Sequence, residues 1–123
     1  MEFTAGEIAV ACGEIALSKK AIDVKILDLR EITSVTDYFV ICTGSIDLHV
    51  KAISDAIVEG LEKKKIKVWH IEGYSALKWV LLDYVDVVVH IFNGDVRDFY
   101  GLERLWGDAP TKVLSKQEIE TSR

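Results

Sequence analysis

The sequence predicts a single-domain α/β protein with a mixed five-stranded sheet and three helices, in the order α-β-β-α-β-β-β-α. Residues 79–92 consist of two apolar runs rich in valine and aromatic residues, which is typical of a β-hairpin. Three other segments place apolar residues at helical spacing. The chain has 123 residues and half of them are hydrophobic, which suits one domain with a substantial core.

The first helix is predicted to begin near Thr4. Thr4 and Glu7 have the capping-box spacing, in which a threonine N-cap precedes a glutamate in the first turn. Ile8, Cys12 and Ile15 follow at helical spacing, and this apolar stripe would pack on a sheet. Because Cys12 lies in the stripe, a catalytic role for its thiol is not expected.

Two strands joined by a short link follow this helix. Residues 24–29 form the first predicted strand and residues 37–43 the second. The polar link between them is too short for a crossover helix, so the two strands should run antiparallel. Both faces of residues 37–43 are mostly apolar, which predicts a central strand covered on both sides.

The second helix is predicted to begin after Ser45 and to end near Lys64. Gly44 lets the chain turn sharply, Ser45 is a good N-cap, and Asp47 suits the helix dipole. Residues 67–71 form the third strand, reached through a right-handed parallel crossover from the second strand. The apolar face of this helix carries Ile46, Val50, Ile53, Ile57 and Leu61.

The hairpin at residues 79–92 has two faces of different character. If residues 85 and 86 form its loop, Tyr84 pairs with Val87 and Trp79 with Phe92. Alternation then gives a core face of Val80, Leu82, Tyr84, Val87, Val89 and Ile91. The opposite face combines aromatic rings with an acid and an imidazole, which suits a partner-binding surface. The alternative is that helices cover both faces and Trp79 is ordinary core. This opposite face carries Trp79, Leu81, Asp83, Val88, His90 and Phe92.

A last helix is predicted over residues 96–106, with Asp95 as its cap and Pro110 beyond its end. Residues 111–123 are polar with few apolar anchors, which predicts a flexible C-terminal tail. The folded domain is therefore expected to span residues 1–110. Three helices barely cover both faces of five strands, so part of the sheet is expected to stay open to a partner.

The charge balance favours a basic protein partner over nucleic acid. The net charge is -5 at pH 7, whereas proteins that bind DNA or RNA unaided normally present a basic surface. Residues 72–108 contain seven acidic and three basic side chains, so the hairpin lies in an acidic part of the chain. Exposed aromatic rings would anchor a basic partner, and the acids would guide its approach.

The compartment expected from the sequence is the cytoplasm. No apolar run approaches the roughly 20 residues of a membrane span, and no secretory signal is recognised at the N-terminus. Cys12 and Cys42 are expected to be buried thiols rather than a disulfide, which fits a reducing compartment.

No catalytic, metal or cofactor site is predicted. Gly44-Ser45 at a helix start could bind a phosphate through the helix N–H groups. A similar pair occurs in nucleotidyltransferases, where it is followed by two acidic residues, one residue apart, that bind a metal ion. Here Asp55 is followed by two apolar residues, so the acid pair is missing. His49 is a weak polar-site candidate near this turn, and the three histidines lack metal-ligand spacing. The sequence therefore argues against an enzyme.

Three separated blocks of the sequence are specific enough to indicate a family. They are DYFVICTGSIDLHVKAI at residues 37–53, EGYSALKWVLLDYVDVVVHIF at residues 72–92 and FYGLERLWGDAP at residues 99–110. In their order and gaps they closely resemble the ribosomal silencing factor family, also called RsfS or Iojap. The resemblance covers nearly the whole chain except the tail. It implies a nucleotidyltransferase-like fold without the catalytic acids, in agreement with the missing acid pair.

The resemblance also implies a function in translation. Members of the family bind ribosomal protein number fourteen of the large subunit and sterically block joining of the small subunit, which represses translation when nutrients are short. The tryptophan and aspartate of the W-V-L-L-D block contact this partner, which implies Trp79 and Asp83 here. Leu81 is added because it shares their face, and Glu72 and Tyr84 are added as further partner-binding residues. Several members look like homodimers.

One departure from the family pattern lies in the hairpin turn. The family usually has glycine where this chain has Val85, and a β-branched residue resists a positive φ. The turn is therefore expected to differ from that of the family or to carry strain.

Two other functions stay open at this point. A nucleotidyltransferase-like nucleotide-binding protein is suggested by the order of the elements and by Gly44-Ser45. A homodimeric interaction module would use the face that carries Trp79 for a second copy of the chain.

Overall fold

The structure, a computed structural model, describes residues 3–94, 96, 101, 104 and 106–115. Within these residues, two helices pack on one face of a six-stranded sheet with the order β3-β4-β5-β2-β1-β6. The elements in chain order are α1 (Ala5–Ser18), β1 (Ile22–Asp28), β2 (Tyr38–Gly44), α2 (Asp47–Glu62), β3 (His70–Glu72), β4 (Trp79–Asp83), β5 (Val87–Asn93) and β6 (Thr111–Leu114).

The sheet is mixed, as predicted. β2 and β5 form a parallel pair at its centre, and every other neighbouring pair is antiparallel. β3 therefore runs in the same direction as β2, although β4 and β5 lie between them. The predicted parallel orientation of the third strand is confirmed, and α2 carries the chain across to the sheet edge. This strand is shorter than predicted and begins at His70.

The hairpin has the predicted register. Trp79 pairs with Phe92 and Asp83 pairs with Val88. The Tyr84 N–H donates to the Val87 carbonyl at 2.8 Å, which closes the short loop. A register is strongly specified where one face is buried, because a slip by one residue would turn the apolar set towards water.

The prediction of five strands and of a flexible tail from residue 111 is wrong for residues 111–114, which form β6 against β1. Leu114 is only 6% exposed and packs at Gly13 of α1, where an added Cβ would lie 2.4 Å from Leu114 Cδ1. The polar composition hid this strand, because three of its four residues are exposed and Leu114 alone is buried. Residues 116–123 lie outside the described part of the chain.

The two helices begin differently. At α1 the predicted capping box is confirmed: the Glu7 N–H donates to Thr4 Oγ1 at 3.1 Å, and the Thr4 N–H donates to Glu7 Oε1 at 2.8 Å. Such a cap stabilises a helix by about 1 kcal/mol. At α2 the predicted Ser45 cap is wrong, because Ile46 holds the N-cap position and no side chain caps the helix.

The predicted third helix over residues 96–106 falls mostly outside the described residues. Val96 and Trp106, which are described, pack against a small apolar cluster on the sheet face opposite to α1 and α2. Of the three predicted helices, two are therefore present within the described residues.

The core has two parts, one on each face of the sheet. The larger lies between the helices and the sheet and includes the whole predicted core face of the hairpin. The smaller, on the opposite face, consists of Leu27, Leu29, Ile41, Phe92 and Ala109, with Phe39, Trp79, Val96 and Trp106 packed against it.

Cys12 and Cys42 are both buried and form no disulfide, as expected. Burial raises the pKa of the Cys12 thiol to about 12, so the thiol is protonated and unreactive at neutral pH. Among the described residues, none of the helices has the length and apolarity needed to cross a membrane.

Candidate functional site

The hairpin face opposite to the helices brings together most of the predicted site. Trp79, Leu81 and Asp83 alternate along β4 and are all partly exposed. Glu72 on β3 pairs in register with Leu81, so both side chains emerge on this face, and Glu72 is exposed. We call Glu72, Trp79, Leu81 and Asp83 the hairpin surface. An indole, a leucine and two carboxylates thus lie side by side at one end of the sheet.

Tyr84 is not part of the hairpin surface. Its side chain is 8% exposed and belongs to the large core cluster on the other face of the sheet. Burial raises the pKa of its hydroxyl, and no described residue accepts a hydrogen bond from this hydroxyl. The alternation of β4 already places Tyr84 on the core face, so its role in partner binding stays a prediction without geometric support.

The face carries exposed side chains on β3 and partly exposed side chains on β4. On β5 its side chains are buried except for Val88, which is half-buried. His90 is 3% exposed and Phe92 is fully buried, because the small apolar cluster covers them. Within the described residues, the β5 side of this face is therefore mostly core and its β3–β4 side is exposed, and partner binding by the exposed side stays a prediction.

Trp79 stands at the border between these two regions. Its ring stacks on Phe92 with a centroid distance of 5.1 Å, and its Nε1–H donates to His90 Nδ1 at 3.1 Å. Since an indole N–H can only donate, His90 Nδ1 is the acceptor and the imidazole is neutral with its proton on Nε2. Burial lowers the pKa of His90 to about 4, which keeps the ring neutral at physiological pH.

The hairpin turn orients Asp83. The Val85 N–H donates to Asp83 Oδ1 at 2.7 Å, so this carboxylate is held by the turn that follows it. Val85 has a φ of +74°, so of the two expected outcomes, a different turn or a strained one, the structure shows the strained one. For a residue with a Cβ, the left-handed conformation costs roughly 1–2 kcal/mol.

Two residues beside the hairpin surface were not predicted. His70 pairs in register with Asp83, so its side chain lies on the same face, 3.5 Å from the Glu72 carboxylate. Trp69, which is 71% exposed, precedes it, and its N–H donates to the Asp83 carbonyl at 2.8 Å. Only the pairing of β3 with β4, which the sequence pattern did not specify, could have placed them here.

The turn at Gly44-Ser45 holds His49, as expected for the weak polar-site candidate. The Ser45 N–H donates to His49 Nδ1 at 2.9 Å, and His49 Nε2 donates to the Lys19 carbonyl at 2.7 Å. Ser45 Oγ lies 3.2 Å from the same Nδ1. Because Nδ1 already accepts the backbone N–H, it is poorly placed to take a proton from the Ser45 hydroxyl. The imidazole here ties α2 to the end of α1.

Two carboxylates of α2, Asp47 and Asp55, are engaged in ion pairs. Asp47 accepts from Lys78 Nζ at 3.0 Å and from Asn93 Nδ2 at 2.9 Å, and these contacts lower the pKa of Asp47. Asp55 accepts from Lys51 at 3.0 Å and from the Tyr74 hydroxyl at 2.7 Å. Within the described residues, no cluster of three or more potential metal ligands occurs.

The fold and the site thus define an α/β domain with a half-open sheet surface that carries an indole and carboxylates. A family model described as "Ribosomal silencing factor during starvation" matches residues 2–123. The chain belongs to the ribosomal silencing factor family.

Relatives and solved structures agree with this assignment. The chain is 45% identical over 106 residues to the ribosomal silencing factor RsfS of Bacillus subtilis, covering 86% of each chain. It is 37% identical over 101 residues to the chloroplastic protein Iojap of Zea mays, covering 82% of this chain and 44% of that relative.

Two crystal structures are similar throughout. One, from Chromobacterium violaceum, has a TM-score of 0.83 and 32% identity and covers 85% of this chain and 88% of that chain. The other, from Bacillus halodurans, has a TM-score of 0.78 and 36% identity, with coverage of 89% and 99% respectively.

Proposed function

We propose that this protein binds the large ribosomal subunit, prevents the small subunit from joining it, and thereby represses translation, above all when nutrients are short. Membership of the family supports this function. The observation that carries it is the hairpin surface, where Trp79, Leu81, Asp83 and Glu72 share one partly exposed face. The activity is steric, needs no cofactor, and takes place in the cytoplasm where ribosomes are.

The proposed contact on the ribosome is protein number fourteen of the large subunit. Tryptophan at the centre of an interface is the side chain that most often dominates binding energy, at 2 kcal/mol or more. Trp79 is suited to this role because Phe92 and His90 support its ring from behind. Asp83 and Glu72 would face basic groups of the partner and speed its approach.

An assay of subunit joining tests the proposed function. Purified small and large subunits are mixed, and their association is followed by light scattering with increasing amounts of this protein. We expect the wild type to reduce the amount of joined ribosomes. Trp79→Ala should need roughly 30-fold more protein for the same effect, which corresponds to a loss of about 2 kcal/mol.

A control variant separates surface chemistry from a general loss of folding. Leu48→Ala removes an exposed side chain from α2, which packs on the opposite face of the sheet, and should block joining as well as the wild type does. Full joining of the subunits in the presence of excess wild-type protein would refute the proposed function.

A further inference from the structure

His90 is a buried polar side chain in direct contact with Trp79 of the hairpin surface. Its ring lies between Phe39, whose edge meets it at a centroid distance of 4.5 Å, and the Trp79–Phe92 stack. A buried imidazole costs free energy where its polar atoms lack partners, and its Nε2 has no hydrogen-bond partner among the described residues. Its Nδ1 accepts the Trp79 Nε1–H at 3.1 Å, so the contact between these two side chains gives the histidine a role that an apolar residue could not fill.

We propose that His90 is a positioning residue that fixes the Trp79 indole for the partner, an inference that rests on the proposed function. Without this acceptor, the indole of a partly exposed tryptophan would rotate about its side-chain bonds, and binding of the partner would have to restrict it to one orientation. Ordering a mobile side chain at an interface costs conformational entropy on binding. Pre-orientation by His90 removes that cost before the partner arrives.

The same contact specifies what the partner must offer. The Nε1–H is turned towards His90 and is already used, so the partner meets the carbon atoms of the indole. A complementary site therefore consists of apolar side chains or of a cation placed over the ring, rather than a hydrogen-bond acceptor. A basic partner surface that also exposes apolar side chains meets this requirement.

The first test observes the hydrogen bond itself. Proton–nitrogen NMR spectra contain one indole N–H signal for each of the three tryptophans, and Trp79→Phe assigns the signal of interest. We expect this N–H to exchange with solvent at least tenfold faster in His90→Leu than in the wild type. His90→Asn, whose side-chain oxygen can accept at the position of Nδ1, should restore the protection.

The second test is a double-mutant cycle on affinity for isolated large subunits. His90→Leu should weaken binding by about 3–10-fold, and His90→Asn should recover most of the affinity, because without an acceptor the indole must be ordered on binding. In the Trp79→Phe background the exchange of leucine for asparagine at position 90 should change nothing, since no indole N–H remains to be held. If His90 acted only by stabilising the fold, leucine and asparagine at position 90 would still differ in affinity in the Trp79→Phe background.

The outcomes separate this proposal from the proposed function. Equal affinity of His90→Leu and the wild type, or an unprotected Trp79 N–H in the wild type, would overturn the positioning role. A protected N–H in a wild type that fails to bind large subunits would instead overturn the proposed function. If His90→Leu does not fold, His90→Phe, which keeps a ring at this buried position but offers no acceptor, takes its place in the comparison with His90→Asn in both backgrounds.

Discussion

Val85 occupies the tip of the hairpin with a φ of +74°, and 55% of its side chain is exposed. Val85 is thus strained by its left-handed conformation, and its exposed side chain contributes little packing that would offset this strain. The turn keeps this geometry because the Val85 N–H is bonded to Asp83 Oδ1 and the flanking strands are paired.

Replacing Val85 by glycine should raise the free energy of unfolding by about 1 kcal/mol. Relief of strain, roughly 1–2 kcal/mol, exceeds the added chain entropy of glycine, roughly 0.5–1 kcal/mol. Urea denaturation measures the change. The matched control is Val35→Gly at an exposed loop position without a positive φ, which should lower stability. A Val85→Gly protein no more stable than the wild type would show that the turn is not strained.

His90 makes stability depend on pH. Its pKa is about 4 in the folded protein because of burial, against 6.5 for the unperturbed ring. Between these values the unfolded chain binds a proton that the folded protein does not bind. The contribution of His90 is therefore constant above pH 6.5 and is lost as pH falls from 6.5 towards 4, at up to about 1.4 kcal/mol per pH unit.

Unfolding free energies of wild type and His90→Asn at pH 7.5, 6 and 5 test this statement. The difference between the two proteins should shift in favour of the variant as pH falls, because asparagine does not titrate. Carboxylates such as Asp47 are common to both proteins and cancel in the difference. Parallel pH profiles for the two proteins would contradict the burial of a neutral imidazole.

At the level of elements, β6 and α1 are linked by one close contact. Gly13 leaves room for Leu114, and a methyl group at position 13 would lie 2.4 Å from Leu114 Cδ1. We expect Gly13→Ala to destabilise the protein by about 1–3 kcal/mol through overpacking, although alanine favours a helix over glycine by about 1 kcal/mol.

The combination with Leu114→Ala provides the control. Leu114→Ala alone should cost about 2 kcal/mol for a buried leucine at a sheet edge. In its presence Gly13→Ala should become neutral or stabilising, because the clash is gone and the helix preference remains. Thermal unfolding of the four proteins gives the coupling energy. Additive effects would mean that β6 does not pack on α1 as described.

The elements also show how far the sequence determines the fold. The hairpin was predictable in register because two alternating apolar runs flank a short loop. β6 was not, since one buried leucine among exposed residues carries no periodic signal. β3 was placed at residues 67–71, whereas its pairing selects His70–Glu72. Short edge strands are defined by their neighbours more than by their own residues.

The same reasoning applies to the candidate site. Trp79, Leu81 and Asp83 follow from alternation within one strand, so their shared face was predictable from sequence. The side chain of His70 joins them only through the pairing of β3 with β4, and Trp69 is linked to this site through its backbone N–H to the Asp83 carbonyl. The exposure of each position depends on the small cluster over β5, which brings together residues from distant parts of the chain.

At the scale of the whole molecule, the two faces of the sheet are covered differently. Among the described residues, α1 and α2 cover one face, and the small apolar cluster covers the other face over β5, β2 and β1 but leaves the β3–β4 end exposed. A surface that holds an indole and two acids would be available either to a basic partner or to a second copy of the chain. The predicted homodimer remains a prediction, and sedimentation velocity of the wild type and Trp79→Ala tests whether it forms through this surface.

The most direct test of the central claim is co-sedimentation with isolated large ribosomal subunits. Wild type, Trp79→Ala and Asp83→Lys are compared with Leu48→Ala and Glu59→Lys, which make matched changes at exposed positions of α2. We expect the wild type and both α2 variants to pellet with the subunit, while Trp79→Ala and Asp83→Lys remain in the supernatant. Pelleting of all five proteins would contradict the assignment of the hairpin surface, and pelleting of none would contradict ribosome binding itself.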